Sequence, residues 1–321
     1  MKKILFALIF LLAIAPLAGA EGNRYKVSVS QFVEHPALDA VLKGFQDQMA
    51  EAGLGVDYNV HIAQANMATA GQIAHQIMGE KPDLVLAIAT PTAQACVQAL
   101  KKAPHMRKTP LLFTAVTDPV TAGLVKDLQR PGKNITGVSD LLPIDKHMGM
   151  VTTFYPGLKR LGVIYNSGEA NSKKTVGQIR AEGEKLGFSV TEATVSKSSD
   201  VYQAAKSLVG RVDAIFIPTD NTVITALESA IKVCIQGQTP LFCADVDSVA
   251  RGAVAAMGFD YYKHGRQTGV MAAKLFAGQS PSETPVEFQE ELSLHINRGY
   301  AGKMGVTIPE ALLKAADKIY E

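Results

Sequence analysis

Two turns of this 321-residue chain carry side chains whose types and placement suit recognition of a small charged molecule. The first lies in 83–94, DLVLAIATPTAQ, where an apolar run ends at Thr90 and Thr92 and an amphipathic stretch, ACVQALKK, follows at once. Thr90 is the expected N-cap of that helix, and Pro91 at its first position lacks only a donor that would have no partner there. Free N–H groups, the positive end of a helix dipole and two hydroxyls suit a carboxylate or another anion. The second turn lies in 213–221, DAIFIPTDN, before the helical TVITALESAIK. It carries an acid, Asp220, beside the amide of Asn221, and suits a cation. One strand–turn–helix grammar thus offers a site for each end of a zwitterion, provided the fold sets the two turns face to face.

Other expected strand ends add Thr117, Asp245, Phe32, His35 and Tyr165. Taken singly, each has an ordinary explanation, because Thr, Ser and Asp cap helices throughout α/β proteins. A cap needs one oxygen, however, and these turns carry several. Phe32 and Tyr165 stand at strand ends, where a core aromatic is less expected, and with His35 they are the expected walls of a side-chain pocket.

The elements that must position these groups alternate almost throughout. The apolar run 84–88 lacks polar alternation and is bounded by Pro82 and Pro91, as expected of a parallel strand covered on both faces. Strands are expected at 25–30, 57–64, 110–116 and 135–139, with helices opening at Pro36 and covering 67–78, and a short helix reaching Leu128. The pattern restarts near residue 140. Helices are expected at 143–154, 172–186 and 201–209, and strands at 161–165, 189–195, 213–218 and 240–244. A strand at 252–257, a long helix at 261–277, a strand near 286–295 and a helix from Pro309 complete the chain. About five βα units, twice over, fit an eight-stranded barrel or two doubly wound parallel-sheet lobes. The restart, with a matching turn in each half, favours two lobes. Ligands of such sheets bind at the carboxyl ends of strands.

The address is written at the start. Lys2 and Lys3, an apolar 4–17 and Ala18-Gly19-Ala20 before Glu21 form a cleavable secretory signal peptide over 1–20. The apolar core is shorter than the roughly 18 residues of a membrane span. No cysteine follows the cleavage site, so lipid anchoring is not expected and the mature chain is periplasmic. Without Lys2 and Lys3, basic and acidic residues balance, and they are scattered rather than blocked. Nothing resembles a nucleic-acid footprint. Cys96 falls on an apolar helix face, while Cys234 and Cys243 flank a loop and are open to pairing in an oxidising compartment. Enzyme templates are missing: there is no G-x-S-x-G elbow, P-loop, H-E-x-x-H or C-x-x-C, and the seven histidines show no ligand spacing. Neither a cofactor nor a metal is called for.

Several segments carry a family resemblance: VEHPALDAVLKGF (33–45), ATPTAQA (89–95), FTAVTDPVTAGLV (113–125), RPGKNITGVSD (130–140) and IPTDNTV (217–223). Together they resemble the exported ABC-transporter substrate-binding proteins of the tryptophan/aromatic-amino-acid type, over essentially the whole mature chain. The resemblance implies the type I periplasmic-binding-protein fold: two Rossmann-like lobes joined by a hinge and closing on a small ligand. It implies crossings near 140, 257 and 284, hence one lobe from 21–140 plus about 258–283 and another from 141–257 plus about 284–321. The family's ligand positions match Thr90, Thr92, Thr117, Asp220 and Asn221; Phe32, His35, Tyr165 and Asp245 come from the strand-end argument alone. The implied function is capture of a zwitterionic, aromatic amino acid by a monomer that presents it to an ABC permease and its ATPase. Its carboxylate would lie on Thr90–Thr92, and its ammonium on Asp220, with Asp245 as the second candidate. A branched amino acid, purine or sugar would keep the mechanism and change the pocket, and a sensor would deliver the closed form to a receptor kinase.

Overall fold

The computed structural model describes residues 24–321; the expected signal peptide lies outside the described residues. The chain opens with β1 (Tyr25–Gln31), α1 (Pro36–Glu51), β2 (Val56–Ile62), α2 (Met67–Glu80), β3 (Leu84–Ile88), α3 (Thr90–Lys101), β4 (Leu111–Thr114) and β5 (Ile135–Ser139). A second unit follows: α4 (Ile144–Phe154), β6 (Arg160–Asn166), α5 (Ala170–Leu186), β7 (Ser189–Val195), α6 (Val201–Leu208), β8 (Ala214–Ile217), α7 (Asn221–Thr225), α8 (Leu227–Gln236), β9 (Leu241–Cys243), α9 (Asp247–Arg251) and β10 (Ala255–Gly258). The chain then returns to the first unit for α10 (Tyr261–Phe276) and β11 (Glu287–Phe288). It ends in the second with β12 (Ser293–Asn297), α11 (Arg298–Lys303), α12 (Glu310–Ala315) and β13 (Lys318–Tyr320).

The first sheet runs β11-β5-β4-β3-β1-β2 and the second β13-β12-β10-β9-β8-β6-β7. All pairings are parallel except β10 with β12. Each lobe has its own core. Every residue of β3 and of β8 is buried, as expected of strands with helices on both faces, while β7 at a sheet edge is largely exposed. The first core gathers Val29, Phe45, Leu86 and Phe113 among others, and the second Val163, Phe216 and Phe242.

Helices α1 and α10 pack closely through glycine. A Cβ on Gly44 would run into the Tyr262 carbonyl, and one on Gly265 into the Val41 carbonyl. Because both helices start at the cleft, this contact sets the spacing of His35 and Tyr261.

Several expectations change. The strand expected near 286–295 is two strands in different sheets: β11 pairs with β5 through Glu287–Val138, and β12 pairs with β10. Thr284 still belongs to the first lobe, its carbonyl accepting from Thr136 Oγ1 at 2.8 Å, so the last crossing falls after Phe288 rather than near 284. The short helix expected before Leu128 is a run of turns, with Asp118 accepting from Thr121 N at 2.9 Å and Gly123 at φ +73°. β13 was not foreseen in so short an apolar run. Cys96, Cys234 and Cys243 are free and buried, so Cys234 and Cys243 do not pair; burial pushes the Cys96 and Cys234 thiols up to about 12. Among the described residues no helix is long and apolar enough to cross a membrane.

Candidate ligand-binding cleft

The carboxyl ends of both sheets meet around a small cavity. The first lobe contributes His35, Ala37, Leu38, Ala115, Thr117, Asp140 and Tyr261; the second contributes Asn171, Thr219, Asp220, Asn221, Ile224 and Asp245. Three contacts bridge the lobes at this level. His35 Nε2 lies 3.5 Å from Asn221 Oδ1, Thr117 Oγ1 lies 3.4 Å from Thr219 Oγ1, and Lys174 Nζ lies 3.2 Å from Asp118 Oδ2.

His35 caps α1, its Nδ1 accepting from Leu38 N at 3.5 Å. Nε2 must then carry the proton and donate to Asn221, since Asn221 Nδ2 is turned toward Glu169 Oε2 at 2.6 Å. Burial holds the imidazole neutral, lowering its pKa to about 4. The α1 start, with Ala37 and Leu38 in the cleft wall, therefore brings a positive dipole end to the cavity. Below it the turn after β4 holds Ala115 at φ +51°, with its N–H donated to His264 Nε2 at 3.1 Å. Burial likewise holds His264 neutral, near 4, which keeps Nε2 an acceptor.

On the second lobe two buried acids organise the start of α7. Asp220 caps it, Oδ1 accepting from Val223 N at 2.8 Å, while Oδ2 accepts from Asn166 N at 2.6 Å and Ser172 Oγ at 2.7 Å. Glu169 reaches over from the foot of α5 to accept from Thr222 N (3.0 Å), Thr222 Oγ1 (2.8 Å) and the side-chain amide of Asn221. Burial, then the Glu169 charge, push the Asp220 carboxyl up to about 8. Asp245 is similarly engaged, with Ser248 N at 2.9 Å and Ser248 Oγ at 2.7 Å.

Of the nine residues singled out in the sequence, the structure brings His35, Thr117, Asp220, Asn221 and Asp245 together around one cavity. It does not bring Thr90, Thr92, Phe32 or Tyr165 there. Ala89, not Thr90, is the N-cap of α3, at φ +84°, and Thr90 is buried as the first helical residue. Thr92 is buried too, its hydroxyl donating to Ile88 O at 2.8 Å and Ala89 O at 3.1 Å. Phe32 sits in the first lobe's core, and Tyr165 spends its hydroxyl on Glu192 at 2.6 Å, away from the cleft. Residues the sequence argument missed are Asp140, Asn171, Glu169 and Tyr261. Asp140 follows β5 directly and Asn171 lies in the first turn of α5, just after β6, so the strand-end rule contained the signal for both. Among the described residues no group of three or more His, Cys, Asp or Glu is arranged to hold a metal ion.

The model of the ABC transporter substrate binding protein family matches residues 26–320. The chain belongs to this family. It is 40% identical over 275 residues to the tyrosine-binding protein of Clostridioides difficile strain R20291, covering 84% of this chain and 78% of that one. Two solved structures bracket its conformation. One is an ABC domain in complex with L-Trp from Streptococcus pneumoniae, 32% identical over 92% of this chain and 100% of that one, with a TM-score of 0.87. The other is the ligand-free, open structure of a substrate-binding protein with adhesive properties from Clostridium difficile. It is 36% identical over 92% of this chain and 99% of that one, yet its TM-score is only 0.68. At similar identity and equal coverage, this ABC transporter substrate-binding protein has the lobe arrangement of the L-Trp complex rather than that of the open form.

Proposed function

We propose that this protein is the periplasmic receiver of an ABC importer and that its ligand is an aromatic amino acid with free ammonium and carboxylate groups. The observation that carries the reading is the composition of the cleft wall: three acids, Asp140, Asp220 and Asp245, and no lysine or arginine. Arg251, the basic residue nearest Asp245 in sequence, is held by Glu228 at 2.7 Å. A largely buried wall with carboxyl groups and no cationic side chain favours a cation, and charge-assisted bonds there are roughly twice as strong as neutral ones. The start of α1 suits the carboxylate, and Leu38, Ile224 and Tyr261 offer an apolar wall and a ring for the side chain, an aromatic pair contributing about 0.5–1.5 kcal/mol beyond burial. The tyrosine bound by the 40%-identical relative and the L-Trp in the neighbouring structure support the same ligand class.

The remaining steps follow from two lobes. His35 and Thr117 of the first lobe and Asn221 of the second act from opposite sides, so a ligand touches both walls only when the cleft is shut, and that difference in contacts drives closure. The shut monomer is what a permease and its ATPase would recognise. Export by the cleaved 1–20 segment places it there.

Thermal unfolding of residues 21–321 against the amino acids, purines and sugars tests the reading. A ligand at about a hundred times its dissociation constant stabilises by roughly 2.7 kcal/mol. Tyr, Trp or Phe should raise the midpoint; a rise with a sugar or purine alone would discard the amino-acid assignment.

A further inference from the structure

Most polar groups in the cleft wall are already bonded to protein. Asp220 accepts from three protein donors, and Asp245 has a Ser248 donor on each oxygen. Two side-chain atoms of the cleft wall stand apart: Asp140 Oδ1 and Asn171 Oδ1 are buried without any hydrogen-bond partner. Asp140 is 3% exposed and Asn171 4%. The other Asp140 oxygen, Oδ2, accepts from Tyr261 Oη at 2.9 Å, which fixes the carboxylate. The Asn171 amide cannot be turned over. Its Nδ2 donates to Thr219 O at 2.7 Å and Glu169 Oε2 at 3.1 Å, both acceptors, so the oxygen must be the atom left free.

We infer that the ligand ammonium is held between Asp140 Oδ1 of the first lobe and Asn171 Oδ1 of the second, rather than on Asp220. The inference rests on the amino-acid reading above and locates the cationic end of that ligand. Both vacant atoms are acceptors, one of them on a carboxylate, and an ammonium brings three donors and a positive charge. A buried acceptor is left bare only at a cost, which an ammonium removes on both sides at once. Because the two acceptors stand on different lobes, the same group that is recognised also ties the lobes together. Asp220 and Glu169 then serve as positioning residues that build the α7 start and aim Asn171, and Tyr261 positions Asp140.

Calorimetric titration with L-tyrosine and with its desamino analogue, 3-(4-hydroxyphenyl)propanoate, separates these roles. The wild type should prefer the amino acid. Asp140→Asn should weaken L-tyrosine by about 30-fold or more, the scale of losing a charged partner in a buried site, and leave the analogue within about 3-fold. Asp220→Asn should keep the preference. An Asp140→Asn protein that retains the wild-type preference, or an Asp220→Asn protein that loses it, overturns the inference. A crystal structure of the wild-type L-tyrosine complex decides independently of how the variants fold. It should place the ligand nitrogen within about 3.2 Å of both Asp140 Oδ1 and Asn171 Oδ1. The nitrogen on Asp220 or Asp245, or a water between Asp140 and Asn171, overturns it. Failure of the wild type to bind any aromatic amino acid would instead remove the ligand class on which the inference rests.

Discussion

The turns after β3 and β8 occupy equivalent places in the two lobes. The core sheet orders β2-β1-β3-β4-β5 and β7-β6-β8-β9-β10 are the same pattern, and each turn leads from a fully buried strand into a helix. Only the second reaches the cleft. Between β3 and α3 stands a single residue, Ala89; between β8 and α7 stand three, Pro218, Thr219 and Asp220. The tighter turn starts its helix at once, and Thr90 and Thr92 are buried in the lobe. The longer turn places Thr219, Asp220 and Asn221 in the wall of the cavity. Residue type alone does not make a site. Turn length decides which polar residues reach the cavity and which stay inside the lobe.

That contrast can be broken at its strongest point first. Glu169→Ala leaves the donors of Asn221 and Thr222 buried without their acceptor, and should cost about 3 kcal/mol or more of stability in urea unfolding, since each orphaned donor costs about 1–3 kcal/mol. A loss under about 1 kcal/mol would show that Glu169 does not hold the longer turn together.

Next comes pH. Asp220 is raised to about 8 in the folded protein against an ordinary value near 3.8. The folded form therefore keeps a proton that the unfolded form releases, and stability falls as pH rises between those values. From about pH 7.5 upward His35, His147 and His264, lowered to about 4 when folded and ordinarily near 6.5, are neutral in both states, leaving Asp220 to dominate. From about pH 7.5 to 8.5 the ligand-free protein should lose stability as pH rises, by less than about 1.4 kcal/mol per pH unit. Asp220→Asn should flatten that slope; an unchanged slope would mean the proton sits elsewhere.

At the tight turn, Thr92→Val removes hydroxyl bonds to Ile88 and Ala89 and should cost about 0.5–1.5 kcal/mol of stability. Ligand affinity should stay within the error of calorimetry, and a clear loss there would return Thr92 to the site. Smallest is Lys174→Ala at the cleft rim. The Lys174–Asp118 pair is partly exposed, so its loss should cost about 0.2–1 kcal/mol, read as a faster ligand dissociation in stopped flow. An unchanged dissociation rate would mean the pair does not help keep the lobes shut.

Much of this was legible in the sequence. Buried apolar runs such as 84–88 gave the parallel strands, the restart near 140 gave the second lobe, and strand-end polar residues gave five of the cleft residues. What escaped depends on distant partners or on fine backbone geometry. Asp140 is shaped by Tyr261, 121 residues away, through a helix that returns from the other lobe. Nothing local in the sequence marks Glu169, because the α7 groups it holds lie 52 and 53 residues away. Phe32 and Tyr165 misled because helices on both faces of a sheet bury a strand-end ring as readily as a central one. The last crossing moved because β11 is two residues long, too short for any periodicity to register. The residues between β3 and α3 were countable from the sequence once both ends were fixed, but strand and helix ends are where pattern reasoning is least sharp.

The most direct test of the account is calorimetry of residues 21–321, unfolded to strip any carried ligand and refolded, titrated with L-tyrosine and then L-tryptophan. The account predicts saturable one-to-one binding of at least one of them, displaced by the other where both bind. Heats indistinguishable from dilution for both, from a refolded protein that a sugar or purine still stabilises, would contradict it.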